Sequence, residues 1–174
     1  EGEVLQLSKV RDASTSEETY MDVIRGKTAM LFEASSHSAA VLAGADAEQA
    51  EALRVFGDHL GVAFQLMDDL LDYRGDAQAM GKNVGDDLAE GKPTLPLIHA
   101  MREGTPAQAE LVRKAIQQGG SQDLESIRAA VEAAVDGRSS NVAWTAAIGG
   151  WTLWAAAALA LAIASVRSLT VVRV

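Results

Sequence analysis

Cysteine is absent from this 174-residue chain, which excludes both a disulfide framework and any thiolate metal site. Proline occurs three times and aromatic residues make up only 5%. No run alternates β-branched with polar residues, and alanine and leucine dominate, so the expected fold is all-α. A basic surplus is missing as well. The formal net charge is −9, which argues against a nucleic-acid partner, since that needs a basic face. His37, His59 and His99 show no metal-ligand spacing and are expected to be ordinary surface or core residues. Glu1 to Arg11 is mixed and charged without an apolar stretch, so it is no signal peptide. The chain does not start with Met, and a preceding segment is expected. The length suits one domain with a sizeable core, or part of a larger one.

The charge that is present is unevenly spread. All 24 acidic and twelve of the 15 basic residues lie at or before Asp136, a balance of −12; the remainder holds only Arg138, Arg167 and Arg173. All three tryptophans, Trp144, Trp151 and Trp154, fall in that remainder, within a 28-residue uncharged run from Ser139 to Val166. Two segments are therefore expected, 1–135 and 136–174. About 20 apolar residues span a bilayer core, and Arg167 and Arg173 could anchor the end of such a span. Three readings of the tail stay open: an out-of-frame translation of a GC-rich gene, which is placed first, a membrane anchor or surface contact through 139–166, and a buried Ala-rich helix completing the bundle.

The most informative stretch runs from Phe64 to Tyr73. On a helix Gln65, Asp68, Asp69 and Asp72 fall at i, i+3, i+4 and i+7, one stripe on one face. Leu66, Met67, Leu70 and Leu71 point elsewhere and are expected to be available for burial. Carboxylates this close repel unless a cation lies between them. Their hard oxygens favour Mg²⁺, which keeps several waters and completes its shell with substrate phosphates. A solvated acidic face is the alternative at this point.

Upstream, Thr15-Ser16-Glu17-Glu18 reads as a capping box with Thr15 at the N-cap, opening a helix to about Ala43 closed by Gly44. Met21, Ile24, Thr28, Leu31 and Phe32 lie roughly on one side of it. Lys27 lies midway, either snorkelling to solvent or turned inward to an anion. Asp46 to Gln49 is a second cap, and the helix after it carries Gly57 and Gly61, a spacing suited to close backbone approach. After Tyr73 come two Gly-Lys pairs, Gly81-Lys82 and Gly91-Lys92, in a polar loop. Such a loop can cradle phosphate or be plain surface, and neither pair fits a Walker A pattern. Pro93 and Pro96 suit the first turn of a helix to about Arg102. Thr105-Pro106-Ala107-Gln108 opens another to Gln118, and a last helix is expected from Ser121 to about Ala134.

FQxxDDxxD at 64–72, GKxxGxD at 81–87 and GKPTLPLI at 91–98, with a Lys27-Thr28 pair before them and EGEVLQL at the start, resemble the C-terminal half of a trans-isoprenyl diphosphate synthase. The long-chain octaprenyl-to-decaprenyl branch is the nearest in pattern, over Glu1 to about Ala134. The resemblance implies an all-α isoprenoid-synthase-type bundle around a deep cavity. It also implies Mg²⁺-dependent head-to-tail condensation of isopentenyl diphosphate with an allylic diphosphate. It assigns Asp68, Asp69 and Asp72 to the second Asp-rich metal motif, Lys27, Lys82 and Lys92 to the allylic diphosphate, and the oxygens of Thr28 and Gln65 to the allylic carbon. It further implies a homodimer in the intact family; the chain is expected to be cytoplasmic, with membrane association through 139–166 following only on the anchor reading of the tail. The family's first Asp-rich motif and the upstream basic set for isopentenyl diphosphate do not occur in this chain. The expectation is therefore a chain without synthase activity of its own, exposing apolar faces and prone to association. A non-catalytic diphosphate-binding subunit or membrane-tethered module is the alternative.

Overall fold

A computed structural model describes residues 1–75, 83–120 and 122–139, the last four by backbone alone. Every described element is helical. In chain order they are α1 (Gly2–Lys9), α2 (Glu17–Ile24), a π-helical turn (Arg25–Ala29), α3 (Met30–Leu42), α4 (Ala47–Arg74), α5 (Asp86–Ala89), α6 (Leu95–Glu103), α7 (Pro106–Gln118) and α8 (Leu124–Ser139). Lys82 and residues 140–174, including nearly all of the apolar tail, lie outside the described residues. Among the described residues no helix is long and apolar enough to cross a membrane.

Local chemistry accounts for most helix ends. Asp46 and Gln49 exchange side-chain and backbone hydrogen bonds in a full capping box, and Thr105 and Gln108 do the same at α7. At α2 the cap is one residue later than expected. Ser16 Oγ accepts from the Thr19 amide at 3.1 Å, while Thr15 is buried with its hydroxyl donating to the Asp12 carbonyl. At α6 only Pro96 enters the first turn; Pro93 precedes the Thr94 cap.

The second difference matters more. The helix expected to run unbroken to Ala43 widens into a π turn that contains Lys27 and Thr28. One extra residue in that turn shifts the phase of everything after it. The buried line runs Tyr20, Ile24, Ala29, so Leu31, which an unbroken helix would place beside Ile24, is 67% exposed.

Two apolar cores result. One gathers Tyr20, Ile24, Ala29, Val62, Leu95 and Ile98; the other gathers Tyr73, Leu88, Leu97, Val112, Ile116, Ile127 and Val131. The 28-residue α4 contributes to both. Its glycines make the close approach that their spacing suggested: a Cβ on Gly61 would lie 2.5 Å from Ala29 Cα, and one on Gly57 2.5 Å from the Phe32 carbonyl oxygen. Only a hydrogen fits there, so α4 lies directly against the π turn and α3.

Candidate active site

That close contact sets Gln65 of α4 opposite Thr28 of the π turn. Thr28 Oγ1 donates to Gln65 Oε1 at 2.7 Å. Gln65 Nε2 donates to Asp69 Oδ1 at 2.8 Å, one helical turn on. Asp69 Oδ2 accepts from the Tyr20 hydroxyl at 2.7 Å. Four side chains from three elements thus form one hydrogen-bonded chain, Tyr20–Asp69–Gln65–Thr28. Its inner end is dry: Tyr20 is 4% and Asp69 5% exposed. Burial pushes the Asp69 carboxyl up to about 7, against the opposing pull of the Tyr20 and Gln65 hydrogen bonds. Burial likewise raises the Tyr20 phenol well above its ordinary range, and the Asp69 charge adds to that.

Asp72, 1% exposed, has a different surrounding. Its Oδ2 accepts from the Asp87 amide at 3.1 Å and its backbone carbonyl from the Gly85 amide at 2.9 Å, tying the start of α5 to α4. Asp87 continues the linkage, its Oδ1 lying 3.1 Å from Lys92 Nζ. Lys92 also meets Glu90 at 2.8 Å. Partial burial pulls the Lys92 ammonium down, but the hydrogen bonds to Glu90 and Asp87 outweigh it and hold its pKa above the usual lysine value. Lys27 comes into the same neighbourhood. Hydrogen bonding to Lys92 first, then the fields of Lys92 and Lys27, hold Glu90 below its ordinary pKa.

Lys27 itself is held by α1, 3.0 Å from Glu3 and donating to Gln6 Oε1 at 2.6 Å. The crossing is tight, since a Cβ on Gly2 would lie 2.2 Å from the Lys27 amide nitrogen. Gly2 at this point lets α1 lie across the π turn, with Glu3 and Gln6 reaching over it.

The structure therefore joins Thr28, Gln65 and Asp69 in one network and Asp72 and Lys92 in another, with Lys27 and Lys92 sharing the field of Glu90. Asp68 is half-buried. The donor chemistry of the aspartates suits a hard cation, but among the described residues no three acidic or histidine groups converge as a ready metal cage. His99 is a core residue, its Nε2 within 3.3 Å of the Ala134 carbonyl. One expectation about the stripe is corrected. The acidic side of α4 turns inward, while Met67 and Leu71, expected to be available for burial, are 47% and 37% exposed. With Leu60 and Phe64, also exposed, they form an apolar ridge at i, i+4, i+7 and i+11.

Tyr20 and Glu90 were missed from the sequence. Tyr20 carried a signal: a phenol seven residues before Lys27, two helical turns away on one face. Glu90 carried none beyond lying two residues before Lys92.

The described residues thus set an Asp-rich helix face against a Lys-Thr turn within an all-helical bundle. Residues 1–134 match the Polyprenyl synthetase family, and the chain belongs to that family. It is 59% identical over 123 residues to octaprenyl diphosphate synthase of Haemophilus influenzae, covering 71% of this chain and 37% of that protein. Polyprenyl synthase of Caulobacter crescentus, solved with calcium and isoprenyl diphosphate, superposes with a TM-score of 0.80 at 41% identity, over 92% of this chain and 48% of that one. Geranylgeranyl pyrophosphate synthase of Corynebacterium glutamicum, solved with isoprenyl diphosphate and magnesium, gives a TM-score of 0.78 at 32% identity, over 91% and 44%. This chain thus spans less than half the length of these relatives.

Proposed function

We propose that this chain is the part of a polyprenyl diphosphate synthase that holds an allylic diphosphate and the carbon from which it departs, for condensation with isopentenyl diphosphate. What supports the reading is the Thr28–Gln65–Asp69 chain. Residues far apart in sequence, singled out for one chemistry, meet across two packed elements at hydrogen-bond distance.

Lys27, Lys92 and Lys82 would bind the diphosphate oxygens, displacing the carboxylate partners Glu3, Asp87 and Glu90 that hold the first two. Mg²⁺ held by Asp68 and Asp72, with Asp69 behind them, would neutralise charge growing on the leaving pyrophosphate. The hydroxyl of Thr28 and the amide oxygen of Gln65 are fixed dipoles, which stabilise a developing cation without reorganising as the C–O bond breaks. The buried floor of Tyr20, Ile24 and Val62 keeps water from that side.

The remaining length of the family fold would supply the other metal motif and the isopentenyl diphosphate site. It would also cover the apolar ridge on α4. This chain alone is accordingly inactive, with residues 1–135 as its folded unit and 136–174 a separate segment. The test has two arms. In calorimetry, an allylic diphosphate should bind the chain only when Mg²⁺ is present; no binding in either condition defeats the reading. With labelled isopentenyl diphosphate added, no elongation is expected, and measurable elongation would overturn the claim of inactivity.

A further inference from the structure

Arg11 lies two residues beyond the end of α1 and takes a left-handed backbone, φ 64°, the one non-glycine among the described residues to do so. A side chain there crowds the carbonyl that follows, a steric cost that glycine escapes and asparagine offsets by local hydrogen bonding. Such an outlier persists only where its surroundings hold it. Here the hold is visible. The Arg11 amide donates to the Gly91 carbonyl at 2.8 Å, and on the far side the Gly120 amide donates to the Ala89 carbonyl at 3.0 Å. Gly91 is buried and also left-handed, φ 75°. A Cβ on it would lie 2.8 Å from Arg11 Cγ and 3.0 Å from the Ile116 carbonyl oxygen. The residue before Lys92 is thus clasped between the end of α1 and the end of α7. The other end of α1 already crosses the π turn and holds Lys27 through Glu3 and Gln6.

We propose that Arg11 is a positioning residue for Lys92 that acts through its backbone: its left-handed turn aims the amide at Gly91 and fastens the Gly-Lys loop to the helix that holds Lys27. The two ammonium groups are then placed from one short segment, although 65 residues separate them in the chain. The guanidinium is not what acts; its stem only lies across the space that Gly91 leaves open. The inference rests on the diphosphate reading for what Lys92 binds, and on the backbone hydrogen bond for how Lys92 is placed.

Arg11→Gly, Arg11→Asn, Arg11→Ala and Arg11→Val in the 174-residue chain test it. All four lose the charge, but they differ in tolerance of positive φ. Binding of inorganic pyrophosphate with Mg²⁺, by calorimetry, should stay within about twofold of the parent for Arg11→Gly and Arg11→Asn. It should weaken about fivefold for Arg11→Val, since only the clasped fraction of the loop presents Lys92, with Arg11→Ala between. If Arg11→Val does not fold, Arg11→Ala carries the comparison. General loosening would give a similar order, so the weaker-binding variant is repeated in two backgrounds. It should cost nothing further in Lys92→Ala and its full penalty in Lys27→Ala. Without ligand, amide hydrogen exchange at residue 11 should quicken in Arg11→Ala and Arg11→Val and hold in the other two, while the Gly120 amide stays protected. Equal loss in all four variants, no loss in any, a penalty undiminished in Lys92→Ala, or exchange quickening as much at Gly120 as at residue 11 overturns the proposal and leaves the diphosphate reading standing. If the parent binds no pyrophosphate, the diphosphate reading fails and takes the Lys92 role with it, while the exchange data separately decide the clasp.

Discussion

The two cores that share α4 are built on opposite terms. The one towards the C-terminus is finished: Tyr73, Leu97, Val112, Ile116, Ile127 and Val131 have no exposed surface, and four further elements close around them. The one around Tyr20 is interleaved with a polar chain on one side and borders the exposed apolar ridge of Leu60, Phe64, Met67 and Leu71 on the other. The first region has everything it needs to be stable. The second buries a carboxylate at a cost and leaves apolar surface in water, so its composition does less for its own stability.

Substitutions can separate the two. Leu97→Ala should have the largest effect, removing about 2–5 kcal/mol of unfolding free energy because the sealed core cannot close over the cavity. Urea titration followed by circular dichroism measures it, and a loss below about 1 kcal/mol would mean that this core is looser than described.

A smaller, pH-dependent effect belongs to the other core. Burial holds Asp69 at about 7 when folded, against an unfolded value near 3.9. The folded chain therefore binds a proton that the unfolded chain has released. The stability this confers is complete below the unfolded value and is lost as pH rises through about 7. In divalent-free buffer the parent's melting temperature should fall relative to that of Asp69→Asn between about pH 5 and about pH 7.5. A gap independent of pH contradicts the assignment.

The smallest stability effect should come from Met67→Lys on the exposed ridge, within about 0.5 kcal/mol of the parent. Its signature is colloidal: sedimentation at raised concentration should show less self-association. If association is unaltered, the ridge is not what drives it.

How much of this was visible beforehand follows the range of each interaction. The capping boxes at Asp46 and Thr105 were legible because both partners lie within four residues. The close approach at Gly57 and Gly61 was legible because side-chain size is written in the sequence. The wide turn at Arg25–Ala29 was not, since nothing in RGKTA distinguishes it from α-helix without the neighbour that packs there. The inward acidic face was hidden for a related reason. Periodicity separates two faces of α4, but which one turns inward is decided by Tyr20, 49 residues from Asp69, and by the amide of Asp87. The roles expected of Lys82 and of the tail fall on residues outside the described set, whereas the Lys27 and Lys92 side chains are found paired with carboxylates.

The wide turn also makes the motif a matter of rotational timing. A helix advances about 100° per residue, so removing a single residue from 25–29 would restore an ordinary spiral while swinging Thr28 about a quarter of a revolution from Gln65. The letters of the Lys-Thr pair would survive such a deletion intact, and the partnership that gives them meaning would not.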